Sequence, residues 1–155
     1  MVTPSLTPRQ TAALAALESA GRTEVVPADP GRAAALMNKV ARLLDQVLLL
    51  DYPEAQHTLA YNACHAAADA LMAELGYRTS GGPGQHEALG LFLVAVIDLP
   101  PGDQAAAAFD SLRRTRNASD YRAVPIGQAQ ATFAVQVAQD LLEALTHRGV
   151  GRENT

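Results

Sequence analysis

The run Tyr61-Asn-Ala-Cys-His-Ala-Ala-Ala-Asp-Ala-Leu71 constrains the fold more than any other part of the chain. Alanine is the strongest helix former, and a helix carrying many of them lets its neighbours come close because little side-chain volume separates the backbones. The same bias extends through the protein. Alanine supplies about a fifth of the 155 residues, tryptophan is absent and aromatic residues make up 5%, so the summed propensities favour helix over sheet.

Proline and glycine divide this helical material. Thr7, followed by Pro8 and by Gln10 three residues after it, reads as a capping box that opens a short helix through Ala13, Leu14 and Leu17, stopped by Gly21. Arg22 to Ala28 reads as a linker. Asp29-Pro30 starts a second helix that runs to about Leu50, with Leu36, Val40, Leu43, Leu44 and Val47 on one stripe. A third helix spans Pro53 to Gly76, and Thr79 to Gly84 forms a loop rich in helix breakers. The fourth helix runs from about Gln85 to Asp98; its core has the composition of a buried strand, but an isolated strand has nothing to pair with. Asp103 caps a fifth helix closed by Pro125. A sixth, about Ile126 to Thr146, places Phe133, Val137, Leu141, Leu142 and Leu145 in helical register and is followed by His147, Arg148 and Gly149.

Together these segments predict an all-α fold, an up-and-down antiparallel bundle of four to five long helices plus a short N-terminal helix. The expected organisation is an N-terminal helix and linker over 1–28, the bundle over 29–148 and a frayed tail over 149–155.

With 48% hydrophobic and 18% charged residues the chain is of globular composition rather than disordered. No apolar run approaches the roughly 18 residues needed to span a bilayer, and the N-terminus lacks the pattern of a secretory leader. The single cysteine, Cys64, fits a reducing compartment. The expectation is a cytoplasmic protein with no membrane partner. A net charge of −4 argues against a surface that grips nucleic acid everywhere. Any polyanion must be met by a local patch.

Such a patch stands in the fifth helix. The stripe Ala105, Ala108, Phe109, Leu112 should continue at 115 or 116, and position 116 is an arginine. Arg113, Asn117 and Tyr121 follow one another at intervals of four and form a polar strip if the helix persists that far. Arg113, Arg114, Arg116 and Arg122 stand against only Asp110 and Asp120. A charged side chain on the inner edge of a helix is costly unless paired, which favours a partner, a ligand or a second subunit. The strip equally fits a solvated late-helix face, with the arginines reaching to water and Tyr121 packed by its ring.

Arg113-x-x-Arg116-Asn117-x-x-x-Tyr121 resembles the signature of HEPN domains, in which an arginine is followed after four to six residues by a histidine. The alanine-rich third helix, followed by Gly76-Tyr77 and a loop to His86, is similar to the family's small-residue helix and histidine-bearing segment. By helix order the resemblance spans roughly Asp29 to Leu145. It implies a helical bundle that forms a homodimer and brings two arginine motifs into one cleft. Many members are metal-independent endoribonucleases, often toxins paired with a nucleotidyltransferase-type antitoxin, and others bind nucleotides or act as scaffolds. Carried over, Arg116 would hold the scissile phosphate and Asn117 would orient the cleft, with Arg113, Arg114, Arg122 and His65 as further binding groups. Tyr121 occupies the histidine position. A tyrosine ordinarily titrates near pH 10 and an imidazole near 6.5, so the exchange bears directly on proton transfer at neutral pH.

Other chemistries find less support. Glu54-x-x-His57 is half of a carboxylate-bridged di-iron motif, but the facing helices lack its counterpart: Glu143 and His147 are four apart, not three. No phosphate-binding loop with its lysine and no nucleophile elbow are present. Ser80 lies in a loop without an evident base, and Cys64 sits in an apolar helix where a thiol is inert. Neither a metal nor a cofactor is expected. The sequence leaves three readings: RNA cleavage by a dimer, binding of RNA or nucleotide phosphate without chemistry, and a homodimeric helical scaffold or partner-binding module.

Overall fold

In the computed structural model, which describes residues 5–152, six helices carry most of the chain. Helix α1 (Pro8–Ser19) opens on the capping box: the Gln10 N–H donates to Thr7 Oγ1 (3.1 Å) and the Thr7 N–H to Gln10 Oε1 (2.9 Å). α2 (Pro30–Val47) starts behind Asp29, whose Oδ1 accepts from the Arg32 N–H at 3.0 Å. α3 (Pro53–Leu75), α4 (Gln85–Val96), α5 (Gly102–Arg122) and α6 (Gln128–Arg148) follow. The result is the expected all-α bundle. No helix among the described residues is long and apolar enough to cross a membrane.

α3 is the central element. Twelve of its 23 residues are buried, and it packs against α2, α4, α5 and α6. Alanines at 60, 63, 66, 67, 68, 70 and 73 point to several sides of the helix, so neighbours pack on all of them without colliding. α4 and α5 approach closely at Gly90, where a Cβ would stand 3.2 Å from Phe109 Cδ1. α1 docks on α4: Leu14 enters the core, and Gln10 Nε2 donates to the Val96 carbonyl (3.0 Å) and to Asp98 Oδ2 (3.1 Å).

Four details depart from the sequence reading. Asp103 does not cap α5: the helix begins behind Pro101 with no side-chain cap hydrogen bond, and Asp103 lies within its first turn. The supposed linker at 22–28 contains a strand, β1 (Thr23–Val25), which pairs antiparallel with β2 (Tyr77–Thr79). Strands of three residues are too short to leave a period, and what makes the pairing is the reversal at Gly76. Its backbone is left-handed (φ 83°), and a Cβ there would lie 2.7 Å from the Val26 carbonyl oxygen. Phe133 is 51% exposed, because α6 buries Ala131, Ala134, Val137, Ala138, Leu141 and Leu145, and Phe133 stands about a quarter-turn from the centre of that stripe. The frayed tail expected from 149 onward is packed at its start. Val150 is buried in the core and the Gly151 N–H donates to Glu74 Oε2 at 3.3 Å, while residues 153–155 lie outside the described ones.

Candidate functional site

The arginine strip of α5 meets α3 and the first turn of α4 at Tyr61. Phe109 and Arg116 are seven residues apart, an advance of about 10.5 Å along the helix, enough to admit one aromatic ring. The Tyr61 ring contacts both: its centroid is 5.5 Å from that of Phe109, nearly parallel at 23°, and the Arg116 guanidinium carbon lies 5.0 Å from it. Tyr61 is 1% exposed, yet its hydroxyl reaches the His86 Nδ1 at 3.0 Å. Burial pushes that hydroxyl above the ordinary tyrosine value, opposed by the charges of Arg116 and Arg113. It therefore stays protonated at neutral pH.

His86 sits in the first turn of α4, its ring centroid 5.0 Å from that of His65. Burial first, then His65, Arg116 and Arg113, hold its pKa below the usual imidazole value, with Asp69 acting in the opposite sense. His65 Nδ1 contacts Asp69 Oδ2 at 3.1 Å, one turn further along α3. Beside them is a cavity of about 160 Å³ lined in part by Lys39, Asn62, His65 and Asp69. Lys39 is the only lysine of the chain. One turn before Tyr61, His57 is wholly buried, and neither of its ring nitrogens has a partner among the described residues. Burial, then the charge of Arg116, lowers its pKa, so it is carried as neutral imidazole.

The arginines are not bare. Arg113 Nε donates to Asp110 Oδ1 (2.9 Å) and its Nη2 lies 2.7 Å from the same oxygen, Arg114 Nε lies 3.2 Å from Asp110 Oδ2, and Arg116 Nε lies 3.5 Å from Asp120 Oδ2. Pairs this open to solvent contribute at most about 1 kcal/mol each, and two carboxylates leave the four arginines with an excess of positive charge.

Of the residues singled out in the sequence, Arg116, Arg113 and His65 converge on the Tyr61–His86 cluster. Arg114 and Arg122 are exposed, Asn117 is half-buried, and Tyr121, although α5 persists past it, is 85% exposed. In the sequence Tyr61 stood only as the first residue of the alanine-rich run, and His86 only as the end of the loop that follows it, neither as a site residue. Their signal is an interval of four: His57, Tyr61, His65 and Asp69 stand at successive helical turns in a helix otherwise dominated by alanine. Among the described residues no three of His, Cys, Asp or Glu come together to hold a metal ion. Glu143 and His147 line a separate cavity of about 490 Å³ with Asp98 and Asp140, whose carboxylates disfavour a phosphate.

Comparison with protein-family models, curated proteins and solved structures gives no match. The site brings together two guanidiniums, two neighbouring imidazoles and a buried phenol, a set suited to an anion.

Proposed function

We propose that the protein is a HEPN-like helical bundle that binds the phosphate of RNA or of a nucleotide at the Arg113/Arg116 face of α5, as a cytoplasmic homodimer that joins two such faces into one cleft. A metal-independent endoribonuclease of the toxin type, held by a nucleotidyltransferase-type partner, is the catalytic form of this reading. The observation that carries it is the position of Arg116: in an acidic chain, its guanidinium lies over the Tyr61 ring, where its charge acts on His57 and His86. A guanidinium supplies paired donors to a phosphate, and hydrogen bonds to charged groups are the stronger ones.

Fluorescence anisotropy with a labelled single-stranded RNA tests it. Binding should weaken steeply from low to moderate salt as phosphate contacts release counterions, and Arg116→Ala should weaken it about tenfold or more. A salt-insensitive complex removes the phosphate reading, and a monomer in sedimentation at micromolar concentration removes the shared cleft. The scaffold reading is favoured by the engagement of Arg113, Arg114 and Arg116 with aspartates of their own helix. It expects Arg116→Ala to lower the melting temperature, with no RNA binding to lose.

A further inference from the structure

We infer that His86 and His65 are the proton-transfer pair of this site, His86 as base and His65 as acid, in a cleavage of RNA to which position 121 contributes nothing. The inference rests on the phosphate-binding reading above and assigns the chemistry to α3 and α4 rather than to the arginine motif.

Each imidazole meets a polar partner at Nδ1. His65 Nδ1 lies 3.1 Å from Asp69 Oδ2, and His86 Nδ1 lies 3.0 Å from the Tyr61 hydroxyl, to which it donates in the Nδ1–H tautomer that leaves Nε2 open to accept a proton. In each ring Nδ1 is anchored, which fixes the orientation, and Nε2 makes no hydrogen bond among the described residues. A ring positioned through one nitrogen and open at the other is the arrangement that general acid–base chemistry uses. The centroids are 5.0 Å apart and the planes tilted by 59°, so the two edges serve one small group between them rather than two separate ligands. Tyr121 is 85% exposed and makes no hydrogen bond or ring contact with this pair among the described residues.

The assignment of roles follows from the surroundings. The groups around His86 are Tyr61, His65 and Asp69 from α3, Arg113 and Arg116 from α5, and its neighbour Glu87, which is occupied by Arg22 at 2.7 Å. Burial and the nearby cations keep His86 neutral at pH 7, as a base requires. His65, in its protonated form, has a carboxylate on Nδ1 to balance it and an Nε2–H to give.

In the step itself the ribose 2′-hydroxyl attacks the adjacent phosphorus and its proton passes to His86 Nε2. The bond from phosphorus to the 5′-oxygen breaks, and that oxygen takes the proton of His65 Nε2. Arg116 and Arg113 face the charge gathered on the non-bridging oxygens. The products are a 2′,3′-cyclic phosphate and a 5′-hydroxyl, with no oxidant, reductant or other reactant consumed, and the two histidines regain their starting states by exchange with water.

The test is cleavage of an end-labelled RNA by the full chain in excess chelator, with products weighed by mass spectrometry and RNA retention measured in parallel. Expected are cyclic-phosphate ends, and losses of rate of about 10²- to 10⁴-fold in His86→Ala and His65→Ala, while RNA is still retained. His65→Gln and His86→Gln, which keep polar volume without an exchangeable proton near neutrality, should be as slow as the alanine variants, and circular dichroism should show all four folded. The inference is overturned by RNA that is retained but not cut, by cleavage that persists in the histidine variants, or by an equal loss in Tyr121→Phe. If the wild-type chain neither retains nor cuts RNA, the parent reading fails, and this one with it.

Discussion

Helix α3 changes character along its length. From Ala66 to Ala73 its buried side chains are almost all alanine, with Leu71 and Met72, packed against neighbouring helices without polar atoms. From His57 to His65 the same helix presents an imidazole, a phenol and a second imidazole at successive turns, met by Phe109 and Arg116 of α5 and by His86 of α4. Intrinsic propensity falls from the alanine-rich half to the half carrying His57, Thr58, Tyr61, Asn62, Cys64 and His65, so the helix there is held by packing rather than by propensity. One half is built to exclude volume and the other to hold polar groups in place against burial, which costs stability wherever a group such as His57 finds no partner.

Substitutions on the two sides should separate these roles, and the largest effect is expected where they join. Phe109→Ala removes a buried ring that touches both Tyr61 and the backbone surface at Gly90; it should cost about 3–5 kcal/mol in urea unfolding. In the dry half, Ala67→Leu forces a larger side chain into a position with no exposure and should cost about 1–3 kcal/mol, a fall in Tm of about 2–4 °C per kcal/mol.

His57→Leu, in the polar half, should do the reverse. It deletes two unpaired ring nitrogens, a burden of about 1–3 kcal/mol when a buried polar group lacks a partner, and the variant should melt higher than wild type. It should also flatten the pH dependence of stability. His57 and His86 both have folded-state pKa values below 6.5, so the unfolded chain binds more protons; stability is complete above that pH and is lost as pH falls through it, levelling off below the folded-state values. Urea melts from neutral to acid pH measure the slope with and without His57.

Arg116→Ala should change stability by only about 0.5–1 kcal/mol while weakening RNA binding about tenfold or more, and the contrast between those two readouts distinguishes a site from a strut. Arg114→Ala, exposed and paired only with Asp110, should leave the unfolding free energy within about 0.5 kcal/mol of wild type.

Local chemistry made much of the fold legible in the sequence. Thr7 and Gln10 cap α1, Asp29 caps α2, and Gly76 and Gly149 end α3 and α6 because only local backbone geometry is involved. β1 and β2 escaped because their pairing joins segments more than 50 residues apart, with three residues on each side. Phe133 was misplaced because a register read from spacing does not fix the centre of the buried stripe. At the site, Arg116 was visible as a charge interrupting an apolar stripe. The partners it found, Tyr61 and His86, lie 55 and 30 residues away on other helices, and a period along one helix carries no information about which face of another helix it will meet.

The burial of Tyr61 also has an optical consequence. The chain has no tryptophan and four tyrosines, of which Tyr52 and Tyr121 stand in water, Tyr77 is half-buried, and Tyr61 alone is fully enclosed, against an arginine and bonded to a histidine. Near-ultraviolet circular dichroism of the unmodified protein is thus weighted to one ring, and a ligand that engages Arg116 or His86 is read without a label by the residue lying between them.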